Sequence, residues 1–330
     1  MFFSDLPIWF TILLLLIGLA IITKGADKFV DSAVTIAQKT LVPKVIIGAT
    51  IVSLGTTLPE FSVAAFGGIF DRSQTAVGGA IGSTICNIGL ILGTCILIRP
   101  ILLQRRLYWQ PAAIMVLAGI AVWLLSLDGY LSRLDSLVLT AGLVGYLYFN
   151  IRAISRVRKN RGNMPGPEPP PEKVTTGQQS LKNAVIWLVV GAISVAIGAI
   201  LIVETAVNVA HWLGVPELVI GLTVVAFGTS LPEYVTGLTA TVKGHGDITL
   251  GTMIGADILD ILWVLGPGAL SFSLLPLERQ TLTLDYPVML TIMVLLAVFT
   301  ITGRQLARWQ GGILIGIYGA YLALMFLLFV

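Results

Sequence analysis

The amino-acid sequence predicts an all-α integral membrane protein with ten transmembrane helices, arranged as two inverted five-helix repeats whose central helices are broken. Three observations lead to this fold class. Of the 330 residues, 56% are hydrophobic and only 11% are charged, whereas a soluble domain carries roughly 25% charged residues. Apolar windows of about 20 residues, long enough for a helix to cross the hydrocarbon core, recur along the whole chain. One long segment also returns after a shift of 173 residues.

The apolar windows define the ten predicted spans. In chain order they lie near residues 7–23, 43–68, 76–98, 107–126, 134–151, 183–205, 215–241, 248–271, 284–302 and 309–329. Helices are expected because they keep their backbone hydrogen bonds internal, and the alternation typical of an outer-membrane barrel is lacking. The spans divide the chain into a first repeat at 1–151, a basic, proline-rich linker at 152–182 and a second repeat at 183–330. Cys86 and Cys95 share one span, which predicts small packing residues instead of a disulfide.

The distribution of positive charge predicts the orientation in the membrane. Only Arg72, Arg133 and Arg279 lie on one set of loops, and the other seventeen of the 20 Lys and Arg residues lie on the opposite set. Basic loops stay in the cytoplasm, so the second set is expected to be cytoplasmic. The linker is then cytoplasmic, both termini are extracytoplasmic, and the expected location is the cell membrane.

The repeated segments predict an internal duplication. Residues 30–61 align with 203–234, and residues 78–93 align with 251–266 at the same shift. Five predicted spans separate equivalent points, and because five is odd the two repeats are expected to cross the membrane in opposite senses. Secondary transporters commonly have this plan, with the substrate site near the bilayer midplane where broken helices meet.

Two nearly identical strings, GTTLPEF and GTSLPEY, place a proline and a glutamate inside an apolar span of each repeat. Pro59 and Pro232 cannot donate a backbone hydrogen bond, so each helix is predicted to be interrupted in mid-span. Carbonyl groups freed at membrane depth are tolerated where they line a cavity or meet a ligand. Directly after the prolines come two carboxylates, Glu60 and Glu233.

Hydroxyl groups accompany each carboxylate. They belong to Thr56, Thr57, Thr229 and Ser230. Carboxylate, hydroxyl and carbonyl oxygens are hard ligands that suit Ca²⁺ or Na⁺, and the absence of Cys and His from these strings argues against zinc or copper.

The following predicted span of each repeat adds further polar groups. Ser83 and Asn87 lie in GSTICN, and Asp257 and Asp260 lie in GADILD. Asn87 and Asp260 stand at the same distance from the glutamate of their own repeat, so two-fold pseudosymmetry is expected to gather these two residues and both glutamates at one centre. Ionised carboxylates about 5 Å apart would repel by roughly 3 kcal/mol per pair, and bound cations would relieve this repulsion.

These paired motifs resemble those of the calcium/cation antiporter superfamily, specifically its sodium/calcium exchanger branch. The two alpha repeats of that branch contain G-T-S-x-P-E followed by G-S-N-x-x-[ND]. In this chain the motifs fall within 48–93 and 221–266. The resemblance implies that the first and sixth spans slide across the rest of the protein to alternate access to the site.

The resemblance also implies roles for individual residues. Glu60 and Glu233 would bind Ca²⁺ and Na⁺ alternately. The other implied ligands are the side chains of Thr56 and Thr229, backbone carbonyls near Ser53 and Ala226, Asn87 and Asp260 at the centre, and Ser83 at one flanking sodium site.

The chain departs from the family pattern at three positions. Thr84 and Asp257 replace the usual asparagine of G-S-N, and Ala256 replaces the second serine. Loss of that serine hydroxyl puts one flanking sodium site in doubt. Asp257 adds a charge one helical turn before Asp260, which leaves a role for K⁺ or a proton in ion coupling.

The expected function is that of an antiporter, not an enzyme, that exchanges Ca²⁺ for Na⁺ as a monomer in the lipid bilayer, with no cofactor and no nucleic-acid partner. A Ca²⁺/H⁺ exchanger, a K⁺-dependent exchanger or another divalent substrate are the alternatives within this class. A cation channel is a remote alternative, and an intramembrane protease lacks a suitable catalytic context. Four other polar residues are expected to be structural or solvated: Asp31 and Glu204 near helix ends, and His211 and His245 in connections.

Overall fold

The computed structural model describes residues 7–67, 73–159, 180–213, 226–271 and 274–329, and most of them are helical. The α-helices, numbered in chain order, are α1 Ile8–Thr40, α2 Lys44–Ile47, α3 Ser53–Thr56, α4 Leu58–Gly67, α5 Ser73–Cys86, α6 Gly93–Ile98, α7 Arg105–Leu125, α8 Arg133–Lys159, α9 Leu181–Trp212, α10 Ala226–Thr229, α11 Leu231–Val242, α12 Gly246–Leu259, α13 Tyr286–Thr302 and α14 Arg308–Phe329. Shorter helical segments are the π-helical Gly48–Val52, Asn87–Leu92, Asp260–Val264 and Thr281–Asp285 and the 3₁₀ turn Pro267–Ser271.

Within these described ranges, eight helical stretches are long and apolar enough to cross a membrane. They are Ile8–Thr40, Val77–Ile98, Arg105–Leu125, Arg133–Arg152, Leu181–Trp212, Gly246–Leu270, Thr281–Thr302 and Arg308–Phe329. The prediction of a helical membrane protein is thereby confirmed.

Helices α1 and α9 are longer than the first and sixth predicted spans. The predictions 7–23 and 183–205 are too short, because α1 has 33 residues and α9 has 32. Helix α1 continues past Lys24 since apolar side chains go on recurring at helical spacing. The buried ones are Ala26, Phe29, Val30, Ala33, Val34, Ile36 and Ala37. The helix ends at Thr40. The next residue, Leu41, has a left-handed backbone conformation (φ 56°) and lies two positions before Pro43.

The second predicted span, 43–68, is an interrupted helix. It consists of α2, the π-helical segment Gly48–Val52, α3 and α4, with a bend at Thr57. In the seventh predicted span, α10 and α11 meet at Ser230. The first part of that span, 215–225, lies outside the described residues.

Helices α1 and α9 form a closely packed antiparallel pair. Glycines allow the two backbones to approach each other: a Cβ on Gly198 would lie 2.7 Å from the backbone nitrogen of Ile22, and one on Gly191 would lie 2.8 Å from that of Phe29. Small residues at helix interfaces are the usual means of close packing in a membrane, where lipid is as apolar as the side chains.

Helix α12 lies at the centre of the protein. All of its residues from Ile248 to Leu259 are buried, as expected of a helix enclosed on every side. Its Gly255 packs directly on the backbone of Ala49 in the first π-helical segment. Cys86 and Cys95 are free and buried, so the prediction of unpaired packing residues is confirmed.

Two short β-ribbons connect distant loops, a feature that the all-α prediction missed. Strand β1 (Ile101–Leu102) pairs with β4 (Gln305–Leu306), and β2 (Tyr130–Ser132) pairs with β3 (Leu274–Pro276), both antiparallel. Strands of two or three residues carry no recognisable period in the sequence. Because β1 precedes α7 and β2 follows it, the ribbons lie at opposite ends of this helix.

A polar cluster joins the connection between α11 and α12 to α1 and to the start of α2. Lys243 Nζ lies 3.1 Å from Asp27 and 2.8 Å from Asp31 on α1. Next to it, Lys44 Nζ lies 3.2 Å from Nδ1 of His245. The expectation of a solvated His245 is therefore wrong, because the ring is half-buried against the start of α2.

The other three polar residues that were expected to be structural or solvated lie in the long helices α1 and α9. Asp31 and Glu204 lie inside α1 and α9, not near their ends, because both helices extend beyond the spans that hydropathy defines. His211 is exposed as predicted, but it belongs to the last turn of α9.

Titration of His245 is expected to destabilise the protein as the pH falls from about 6.5 to 4. Burial and the ammonium group of Lys44 lower the pKa of His245 from its ordinary value of 6.5 to about 4. In this window the unfolded chain binds a proton that the folded protein excludes, so the unfolding free energy decreases. Solvent reaches part of the ring and screens the interaction, which leaves an effect of about 1 to 2 kcal/mol.

Thermal unfolding of the wild type and of His245→Gln in the same detergent, at pH 7 and at pH 4.5, measures this contribution. The carboxylates of the protein titrate in both proteins and cancel in the difference. The wild type is expected to lose more stability than the variant, and an equal loss would show that His245 does not titrate in this way.

Candidate ion-binding site

Each interrupted helix bends two residues before its proline. The ψ angles of Thr57 and Ser230 are 0° and 5°, and a new helix, α4 or α11, starts at the next residue. Pro59 and Pro232 therefore occupy the first turn of these helices, where a missing N–H is tolerated. The interruption predicted from the two prolines is present, although the bend precedes them.

The two glutamates stand in the first turns of α4 and α11, and both are buried. The amino-terminal end of a helix carries a partial positive charge that favours a carboxylate. The hydroxyl of Thr57 donates to Glu233 Oε1 at 3.5 Å, so the break of one repeat reaches the glutamate of the other. Glu60 lies close enough to Glu233 and Asp260 for their negative charges to repel one another.

A second contact joins the break at Ser230 to α5 through serine hydroxyls. Ser230 Oγ donates to Ser83 Oγ on α5 at 3.2 Å, and both side chains are buried. The bend of the second repeat is thus linked to the helix that follows the bend of the first.

Asn87 connects the two aspartates of the central helix. Its Nδ2 donates to Asp257 Oδ1 at 3.2 Å and to Asp260 Oδ2 at 3.5 Å. Both contacts are possible because an amide nitrogen carries two hydrogens. Asn87 and Asp260 each begin a π-helical segment, a distortion that often occurs at functional sites.

Five buried oxygen atoms of this cluster have no hydrogen-bond partner among the described residues. They are Glu60 Oε2, Glu233 Oε2, Asn87 Oδ1, Asp257 Oδ2 and Asp260 Oδ1. All five are acceptors, and burying such groups without compensation is costly. Cations, protons or water molecules can satisfy such acceptors, and a set of carboxylate and amide oxygens fits hard, oxygen-coordinated cations.

The remaining predicted residues lie at the two breaks. The backbone carbonyl of Ser53 accepts hydrogen bonds from the N–H of Thr57 at 2.9 Å and from the hydroxyl of Thr56 at 3.3 Å. That carbonyl, expected to be available to an ion, is already hydrogen-bonded in this structure. Ala226 begins α10, and Thr229 ends it and is half-buried.

Aromatic stacking positions the first glutamate relative to the central helix. Phe61, next to Glu60, stacks on Trp263 with ring centroids 4.5 Å apart and an interplanar angle of 15°. Trp263 belongs to the same π-helical segment as Asp260. The stack therefore connects α4 to the segment that carries the aspartate.

Across the described parts of the chain, no three Asp, Glu, His or Cys side chains form a ready ligand set for one metal ion. The sequence had suggested that both glutamates and Asp260 meet at one centre. In the structure these carboxylates share one region, but no three of them lie close enough together to hold one metal ion. Neutral oxygens from Thr, Ser and Asn side chains and from the backbone must complete the coordination of any ion bound here. Sequence reasoning also missed the π-helical segments, whose only signal was their place in the duplicated motifs.

The fold and the site together define an α-helical membrane protein with a buried, acidic, oxygen-rich centre. Comparison with known proteins adds the family. The family model described as "Sodium/calcium exchanger protein" matches residues 10–152 and 183–327. The chain belongs to the sodium/calcium exchanger family.

Several relatives resemble the chain over nearly its full length. The sodium/calcium exchanger MaX1 of Methanosarcina acetivorans is 30% identical, and the alignment covers 95% of this chain and 98% of the relative. The inner membrane protein YrbG of Escherichia coli is 33% identical, with coverage of 95% and 96%. A solved structure of the sodium-calcium exchanger NCX_Mj, soaked with 10 mM Na⁺ and no Ca²⁺, has a TM-score of 0.82 at 32% identity and covers 96% of this chain and 99% of its own.

Proposed function

We propose that this protein is a secondary antiporter that exchanges Ca²⁺ for Na⁺ at the buried acidic centre. The observation that carries the proposal is the group of five buried acceptor oxygens from the two breaks and the two π-helical segments. Both ions accept oxygen ligands, and both neutralise the carboxylates, so they compete for the same charge. The named relatives MaX1 and NCX_Mj are sodium/calcium exchangers, which supports this choice of ions.

The carboxylates provide the coupling between the two ions. Glu60, Glu233, Asp257 and Asp260 repel one another when no cation neutralises them, so the centre favours one ion or the other over the empty state. In this proposal neutral oxygens complete the coordination. They come from the hydroxyls of Thr56, Thr57, Thr229, Ser230 and Ser83, the Asn87 amide and the carbonyls of Ser53 and Ala226. The Ser53 carbonyl already accepts from the N–H of Thr57 and from the hydroxyl of Thr56, so in this proposal the Thr56 hydroxyl turns away and frees one lone pair for the ion.

The proposed architecture is a pair of inverted five-helix repeats, 1–151 and 183–330, joined by the linker 152–182. Two structural correspondences support it. The π-helical segments begin at Asn87 and Asp260, separated by the same 173 residues as the sequence motifs. The two ribbons at opposite ends of α7 are also counterparts: β1 and β3 begin 173 residues apart, β2 and β4 lie in corresponding loops, and each ribbon pairs one strand of each repeat. In this arrangement the packed pair α1 and α9 moves against the other helices and alternates access to the centre.

Ion flux measured in proteoliposomes tests this function. Uptake of radiolabelled Ca²⁺ is followed with an imposed gradient of Na⁺, of K⁺ or of H⁺, each applied separately. A Na⁺ gradient is expected to drive uptake, and liposomes without protein serve as the control. Uptake driven by H⁺ alone would favour a proton-coupled exchanger, and uptake without any opposing gradient would favour a channel.

The proposed orientation places the basic loops in the cytoplasm and both termini outside. A cysteine at Ser180, at the end of the linker, is expected to react with an impermeant maleimide only from the cytoplasmic side. A cysteine at Glu278, next to strand β3, is expected to react only from the outside. The native Cys86 and Cys95 are buried and give little background. The opposite pattern of labelling would reverse the orientation.

A coupling role for K⁺ or a proton is the second candidate, because Asp257 brings one more buried acid to the centre. Its Oδ2 has no partner within the described residues, and only Asn87 donates to its other oxygen. The missing serine hydroxyl at Ala256 leaves space for a further monovalent cation beside Asp257. The wild-type flux is therefore expected to depend on K⁺ or on pH.

Na⁺-driven Ca²⁺ uptake with and without K⁺, measured across pH in the wild type, Asp257→Asn and Asp260→Asn, tests this role. The dependence on K⁺ or on pH is expected to weaken in Asp257→Asn. If this variant and the wild type respond alike to both conditions, the additional acid has no part in ion coupling.

A further inference from the structure

A groove runs between α1 and α9 on the exposed surface of this helix pair. Its volume is about 410 Å³, within the range of small-molecule sites. Gly25 and Gly191 line the groove, and both are at close contacts between the two helices. Ile17, Ala20 and Ile21 form its apolar half. This part of the groove belongs to helices that are apolar enough to cross a membrane, so it is open to lipid chains.

The other half of the groove is basic. Lys24 and Lys28 lie one turn apart on α1, and both are exposed. The Nζ of Lys28 lies 5.6 Å from the centre of the Trp187 ring. Among the described residues neither lysine has a carboxylate within ion-pair distance, because the nearby acids Asp27 and Asp31 turn to Lys243 instead.

The basic half lies at the depth of the lipid headgroups. Lys24 and Lys28 are exposed on α1, and because a charge in the hydrocarbon core is costly, their ammonium groups are expected to reach the headgroups. Trp187 near the start of α9 fits the same level, since tryptophan is enriched where the hydrocarbon core meets the headgroups. The groove therefore changes from apolar to basic at the position where a phospholipid changes from acyl chain to phosphate.

We propose that this groove binds an anionic phospholipid of the bilayer. One acyl chain lies along Ile17, Ala20 and Ile21, and the headgroup phosphate lies between Lys24 and Lys28, next to Trp187 and Gly191 of α9. A zwitterionic lipid has its own cation next to the phosphate, so the two lysines select a lipid with net negative charge. The proposed orientation places them on the cytoplasmic side, whose leaflet is rich in anionic lipids. Because the lipid touches both α1 and α9, its binding stabilises their pairing.

Native mass spectrometry of the full-length protein in detergent tests the proposal. The protein is titrated with dioleoyl phosphatidylglycerol or with dioleoyl phosphatidylcholine. The first phosphatidylglycerol is expected to bind about thirtyfold more tightly, since each lysine near a lipid headgroup changes the affinity roughly fivefold. The double variant Lys24→Gln/Lys28→Gln is expected to lose this preference.

The matched control is Lys39→Gln/Lys182→Gln, which removes the same amount of charge from α1 and α9 at positions outside the groove. It is expected to keep the preference of the wild type. Equal affinity for the two lipids, or an unchanged preference in the Lys24/Lys28 variant, would overturn the proposal.

Thermal unfolding gives an independent readout, because phosphatidylglycerol is expected to raise the midpoint of the wild type and of the control by several degrees more than that of the Lys24/Lys28 variant. An equal rise in all three proteins would also overturn the proposal.

Discussion

Replacing Glu233 with glutamine is expected to abolish Na⁺-driven Ca²⁺ uptake while the protein still folds. Glutamine keeps the shape of the side chain and can still accept the hydrogen bond from Thr57, which lies 3.5 Å away. It removes a full negative charge from a buried centre in which each cation must be neutralised. Glu60→Gln is expected to have the same effect. Uptake into proteoliposomes, compared at equal amounts of reconstituted protein, measures the loss.

The stability of these variants distinguishes a lost ion site from a lost fold. Removing one of several mutually repelling carboxylates is expected to leave thermal stability unchanged or raised in the absence of divalent cations. In the wild type Ca²⁺ is expected to raise the unfolding midpoint, and in Glu233→Gln this rise is expected to be small. Glu278→Gln, an exposed glutamate in a connection, is the control and is expected to transport normally. Normal transport by either Glu60→Gln or Glu233→Gln would refute the proposed site.

Replacing Gly255 with alanine is expected to destabilise the protein by at least about 2 kcal/mol, through overpacking at the centre. The added Cβ would lie 2.5 Å from Cα of Ala49 and 2.7 Å from Oγ of Ser53. Helix α12 is buried on all sides, so it cannot move away to make room. The cost therefore exceeds the gain of up to about 1 kcal/mol that alanine usually brings to a helix.

Gly319→Ala is the matched control for this substitution. Gly319 lies in α14, and no atom lies within 4 Å of a Cβ added there. The control is expected to unfold at or above the temperature of the wild type in the same detergent, and Gly255→Ala well below it. Equal midpoints for the two variants would show that α12 does not pack on the first π-helical segment as the structure has it.

Much of the candidate site was predictable because the chain carries its chemistry twice. The duplicated strings identified Glu60 and Glu233, and the spacing common to both repeats identified Asn87 and Asp260. The same prolines predicted interrupted helices, which the structure contains at Thr57 and Ser230. These features depend on local chemistry: a missing N–H, a buried carboxylate and a repeated interval.

Hydropathy was less informative about the lengths of α1 and α9. A window average falls wherever charges begin, as at Lys24 in α1. Helical hydrogen bonding does not stop there, because Phe29 and Ala33 still bury an apolar face. The polar residues of this extension instead project towards Lys243 and towards the groove between the two helices.

The sequence by itself determined that this protein lies in a membrane, that its motifs are duplicated and which acids stand beside its helix breaks, because hydropathy, proline and residue spacing act along the chain. Only the tertiary structure decided which oxygens meet. Three contacts join residues more than a hundred positions apart: Thr57 with Glu233, Ser83 with Ser230, and Asn87 with Asp257. Such contacts depend on how closely glycine-lined helices approach and on how π-helical turns rotate side chains, and neither is encoded in a local pattern.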